Sequence, residues 1–125
     1  MKLHLSNRDE LFVIHLDKVL FFEADDHYTL VQYVSGGKFM VPFNLSNILD
    51  RLGDSPQFVR VGRSHIVNLS FIHHLNATKQ MLMLGEDPDH AVKLHLSRPM
   101  LRTLMAKVSG VEESPNDCPT EAADE

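Results

Sequence analysis

Phe58-Val59-Arg60-Val61-Gly62-Arg63-Ser64-His65-Ile66-Val67-Asn68-Leu69 is the stretch that decides how the chain is read. Two short runs rich in β-branched and aromatic residues, Phe58 to Val61 and His65 to Leu69, flank the polar corner Gly62-Arg63-Ser64. Glycine there supplies a backbone angle closed to its neighbours. The corner therefore carries an arginine on a short, stiff mount. A guanidinium held that way suits two-pronged recognition of a guanine edge or a phosphate, because it loses less entropy on binding than one on a long loop. A surface hairpin with a merely solvated arginine fits the same twelve residues. The stretch fixes local structure before it fixes a role.

Working outward, the same period-2 pattern recurs on both sides. Lys2 to Leu5 alternates polar and apolar, and Leu11 to Leu16 places Phe12, Ile14 and Leu16 on one face. Val19-Leu20-Phe21-Phe22-Glu23-Ala24 is too uniformly apolar to be half exposed and reads as a central strand. Asp25-Asp26-His27 interrupts it, Tyr28 to Val34 resumes a β pattern, and Ser35-Gly36-Gly37-Lys38 turns into a strand from Lys38 to Phe43. Leu45, Ile48, Leu49 and Leu52 recur at helical spacing, with Asn44 or Ser46 to cap the start and Gly53 to stop it. Beyond the opening stretch, strands are expected at Phe71 to Leu75, Gln80 to Leu84 and Ala91 to Leu96. A closing helix follows from about Arg98 to Val108, capped by Ser97, with Leu101, Leu104, Met105 and Val108 as its apolar stripe. The class is mainly β and antiparallel: nine or ten short strands, one short internal helix and a C-terminal helix.

The 125 residues make one domain, too short to hold a receiver or kinase module as well. No apolar run is long enough to span a bilayer, and Met1 to Glu10 lacks the apolar core of a signal peptide, so a cytoplasmic location and no membrane partner are expected. Cys118 has no second cysteine to pair with, in keeping with that. The formal charge of −5 is unevenly spread: residues 112–125 hold six of the 17 acids and no lysine or arginine. The body is left with 11 acids against 12 bases, a net of +1, which is low for a nucleic-acid domain. The domain is expected to end at about residue 110, with 111–125 an acidic, disordered tail.

The pattern Phe-x-Arg-Val-x-Arg-Ser-x-Ile-Val-Asn, from Phe58 to Asn68, resembles the signature of LytTR-type DNA-binding domains, the output half of many bacterial response regulators in two-component systems. Val19 to Ala24 with His27-Tyr28-Thr29 before it, and Leu94-His95-Leu96-Ser97-Arg98 after it, are similar to further pieces of the family in the same order, so the resemblance spans roughly residues 10 to 108. It implies an elongated stack of small antiparallel sheets that reads DNA with loops. It places base contacts at His27, Arg63 and Arg98, each at a strand exit, with phosphate contacts expected at Lys38, Arg60, Ser64 and Lys79. It also implies two copies on direct repeats of double-stranded DNA, a homodimer formed there, with a bend between them. With no receiver in these residues, input is expected from synthesis level, a partner regulator or a kinase system acting in trans, unless the sequence is a fragment of a longer chain. One position departs: Gly62 stands where the family usually carries histidine.

Other chemistries find little support. His73-His74 are adjacent on a strand and point to opposite faces unless a bulge intervenes, so no metal is expected, nor any cofactor. Ser64-His65 lacks an acid at recognisable spacing, Cys118 lies among acids, and no enzyme activity is expected. Asn68 reads as a turn cap, and Glu23 has no legible partner. The rival reading is a protein-interaction module that modulates another regulator without binding DNA itself. The near-neutral body and Gly62 favour that rival, whereas Arg63 and Arg98 oppose it.

Overall fold

Alternation in the strands resolves into two apolar faces on one central sheet. The computed structural model describes residues 1–109, so the acidic tail and Cys118 lie outside the described residues. In chain order the elements are β1 Lys2–Ser6, β2 Leu11–His15, β3 Val19–Asp25, β4 Tyr28–Tyr33, β5 Lys38–Val41, α1 Leu45–Leu52, β6 Phe58–Val61 and β7 His65–Asn68, then β8 Ile72–Asn76, β9 Met81–Leu84, β10 Val92–His95 and α2 Arg98–Ser109. They form three antiparallel sheets: a ribbon of β1 and β2, a five-stranded sheet in the order β5-β4-β3-β7-β6, and a three-stranded sheet in the order β10-β9-β8.

The five-stranded sheet lies in the middle because both of its faces are apolar. Phe22, Val31, Phe58 and Ile66 face one way and pack with Leu3, Leu5 and Ile14 of the ribbon and Leu45 and Ile48 of α1. Phe21, Val61 and Val67 face the other way and pack with Leu82 and Leu84 of β9 and Leu101 and Leu104 of α2. β3 serves both cores, as its uninterrupted apolar run predicts. A register shift between Val19 and Phe21 explains why the neighbours Leu20 and Phe21 join the same core instead of opposite ones.

The ends of α1 follow the sequence closely. The Asn44 side chain accepts from the Asn47 amide at 2.8 Å, and Gly53 at φ 65° closes the helix. α2 departs from expectation on its outer side: Leu101 and Leu104 are buried, but Met105 and Val108 are 45% and 44% exposed. Only Leu101 and Leu104 of the stripe join the core on that side of the sheet. Asn68 caps its turn as expected, accepting from the Ser70 amide at 2.9 Å, and it also donates from Nδ2 to the Val19 carbonyl at 2.9 Å. The expected strand is present as β8, with a register irregularity between Ile72 and His74 that interrupts its pairing with β9 at His73. No group of three or more metal-capable side chains occurs among the described residues, and none of their helices is long and apolar enough to cross a membrane.

Candidate nucleic-acid interface

Four connections at one end of the molecule hold most of the candidate residues. The first is the two-residue turn between β3 and β4, where Asp26 adopts φ 60° and His27 forms the tip, its side chain 92% exposed. Aspartate tolerates that left-handed angle better than most residues, which accounts for the turn falling there. The Asp26 carboxylate is 3.8 Å from the His27 ring, an exposed and loose pairing.

The second is the corner between β6 and β7. Gly62 is at φ 65°, and Arg63 and Ser64 are exposed. The Ala24 amide donates to the Ser64 carbonyl at 2.7 Å, extending the pairing of β3 with β7 by one step and locking the corner beside the β3–β4 turn. Arg60 braces the corner from behind, Nη2 donating to the Arg63 carbonyl at 3.2 Å and Nη1 to the Ser46 hydroxyl of α1 at 3.3 Å. The Arg63 guanidinium itself has no hydrogen-bond partner among the described residues and projects into solvent.

The third connection leads into α2, whose first residue, Arg98, is exposed. Gly62 and Met100 are in direct apposition: a Cβ on Gly62 would lie 2.5 Å from the Met100 sulfur. The fourth is the turn after β8, where Lys79 is exposed and its amide donates to the Asn76 side chain at 3.0 Å. The Leu96 amide donates to the Gln80 carbonyl at 3.2 Å, tying that turn to the entry of α2. His27, Ser64, Arg63, Arg98 and Lys79 thus follow one another along a row of touching loops.

A family model for the LytTr DNA-binding domain matches residues 9–109. The chain belongs to the LytTR family. A solved LytTr DNA-binding domain, of a putative methyl-accepting/DNA response regulator from Bacillus cereus, has the same fold: TM-score 0.61 at 22% identity, covering 88% of this chain and 97% of that one. Comparison with curated proteins gives no match. LytTR is a DNA-binding family and not a catalytic one.

Within this LytTR domain Lys38 stands apart, because it pairs with Gln32 at the end of the five-stranded sheet opposite the loop row. Arg102 was not singled out in the sequence, yet it is exposed one helical turn beyond Arg98. The i, i+4 spacing of the two arginines is the signal that could have found it. The brace made by Arg60 had no such signal, since Ser46 is 14 residues away.

Glu23 does have a partner. It faces His65 across β3 and β7, with 3.8 Å between carboxylate and imidazole. Burial holds the His65 imidazole below its ordinary pKa of 6.5, while Glu23 pulls it upward. The folded domain therefore binds fewer protons at this site than the unfolded chain. The contribution of His65 to stability is complete above pH 6.5 and is lost as pH falls from 6.5 through the lower folded value. In urea titrations from pH 7.5 to 5, His65→Gln should lose less stability than the parent chain. Equal losses would remove His65 as the source. The pairing also supplies the acid that sequence spacing did not reveal beside Ser64-His65.

Gly62 has its own physical account in this LytTR domain. A histidine there must adopt φ 65° and displace Met100, and the left-handed conformation alone costs a non-glycine residue about 1–2 kcal/mol. Gly62→His should lower the unfolding free energy measured by urea denaturation by that amount or more. Adding Met100→Ala should recover only the steric part, and a Gly62→His variant as stable as the parent would mean the corner had rearranged.

Proposed function

We propose that the domain is a sequence-specific transcriptional regulator reading the major groove of DNA with its loop row: His27, Arg63 and Arg98 on base edges, Lys79, Ser64 and the remaining donors of Arg60 on phosphates. The observation that carries this reading is the direct apposition of Gly62 and Met100, which brings the arginine corner against the first turn of the helix that Arg98 begins. Arg63 has a free, planar fork of donors suited to guanine O6 and N7. His27 follows the exposed carboxylates of Asp25 and Asp26, which repel phosphates and suit that turn to a base edge. Arg60 uses two N–H groups on the brace and keeps three for the backbone of a duplex. Lys38, at the opposite end, has no place in this contact set.

A body of net charge +1 gives weak non-specific attraction, so two copies on direct repeats are the economical way to reach useful affinity. Bending of the DNA between the copies belongs to the same proposal, as do a bacterial cytoplasmic setting and a partner regulator or kinase system supplying the input. The second reading, an interaction module acting on another regulator, draws on that same low charge.

Immunoprecipitating the protein from its own cells and sequencing the attached DNA separates the two readings. Sites sharing a repeated motif are the expected result. Recovery of another regulator, with no enriched motif, would overturn DNA reading in favour of the interaction module.

A further inference from the structure

A groove of about 260 Å³ separates β6 from α2, with Val59, Val61, Met100 and Leu104 as its apolar lining and Lys107 on its wall. No carboxylate lines it. Among the described residues β6 is an edge strand paired only with β7, so its outer backbone donors and acceptors are available to another extended segment. α2 adds Arg98, Arg102 and Lys107 and contains no acid. An apolar trough with a strand edge on one side and a cationic helix on the other suits an extended acidic peptide.

The chain carries such a peptide. Residues 111–125 hold six carboxylates, no lysine and no arginine, and they follow Lys107 after only a few residues. From Lys107 back to Pro99 along the helix is about 12 Å at 1.5 Å per residue. Fifteen extended residues reach up to about 50 Å, enough to cover the groove and arrive at the Gly62 corner. Tethering gives the segment a local concentration on the order of millimolar, so even a weak fit is occupied.

We propose that residues 111–125 fold back into the groove between β6 and α2, placing their carboxylates against Lys107 and the cationic side of α2. The docked segment then lies beside Arg63 and Arg98 and competes with a duplex for the loop row. This consequence rests on the DNA-reading proposal; the docking does not.

Cys118 is the one cysteine in the sequence and accepts a nitroxide label at a unique position of the full chain. The methyl resonances of Met100, Leu104 and Val59 should broaden selectively at low salt. They should recover when Glu112, Glu113, Glu121 and Glu125 are changed to Gln and Asp117 and Asp124 to Asn, and also in Lys107→Glu. Absent broadening, or broadening centred on any other surface, overturns the proposal. So does equal broadening when the nitroxide and the observed methyl groups are on different chains, which would assign the groove to a second copy. The affinity for a short duplex of arbitrary sequence should rise several-fold at low salt when the tail is neutralised and change little at high salt. Selective broadening without that rise would keep the docking and strike its link to DNA.

Discussion

Arg63→Ala should leave the protein folded and erase its sequence preference. The guanidinium is exposed and makes no hydrogen bond to the described residues, and the backbone carbonyl that accepts from Arg60 survives the substitution. The urea midpoint should therefore match that of the parent chain. A bidentate arginine–guanine contact is worth about 1–3 kcal/mol of discrimination, or roughly 5- to 150-fold for each copy bound. With two copies on one operator the losses combine to about 2–6 kcal/mol, enough to remove shared-motif sites from a genome-wide immunoprecipitation. Because a base contact and not a phosphate contact is lost, the salt dependence of residual binding should change little. Retention of the full set of sites by Arg63→Ala would eliminate the corner as the reader. A parallel fall in affinity for every sequence, with a shallower salt slope, would move Arg63 to the phosphate backbone.

How much of this was legible in the sequence depends on the distance over which each feature is specified. The ten strands and both helices follow from local alternation and capping, and the strand at Val19–Asp25 is central because its run has no polar side to expose. The corner at Gly62 was visible for the same reason, since positive φ favours glycine locally. Strand order was not. The pairing of β3 with β7 joins residues more than 40 positions apart, and it creates both the bond from Ala24 to Ser64 and the facing of Glu23 with His65. Nothing in either segment names the other.

The same limit explains Lys38 and α2. Lys38 looked like any turn lysine until the hairpin of β4 and β5 set it at the far end of the sheet. Met105 and Val108 continue a helical stripe that periodicity alone assigns to the core, but how far the core extends is decided by the three-stranded sheet under α2. The register irregularity in β8 likewise interrupts the pairing at His73, and a bulge leaves no mark in the alternation of the sequence on either side.

Asn68→Ala should be among the most destabilising substitutions of a polar residue in the domain. Asn68 is fully buried, and both ends of its amide are used: Oδ1 accepts from the Ser70 amide and Nδ2 donates to the Val19 carbonyl, each at 2.9 Å. Alanine leaves that backbone donor and acceptor without these partners, at about 1–3 kcal/mol for each group left unsatisfied, so a total loss of roughly 2–6 kcal/mol is expected from urea denaturation. Asn68→Asp separates the two bonds. It keeps an acceptor for Ser70 but at neutral pH sets a buried carboxylate against the Val19 carbonyl oxygen, where the amide had donated a proton. The folded-state pKa of that aspartate must then rise above the ordinary value of about 3.9, because only the protonated form can donate to Val19. The folded state binds the extra proton, so stability relative to the parent is greatest below the unfolded pKa and is lost as pH rises through the folded one. Asn68→Asp should therefore be at least as unstable as Asn68→Ala at pH 7 and should gain on it as the pH is lowered toward 4. If the two variants stay parallel across that range, the bond from Asn68 to Val19 contributes little, and the backbone pairing of β3 with β7 and the packing around it hold the start of β3.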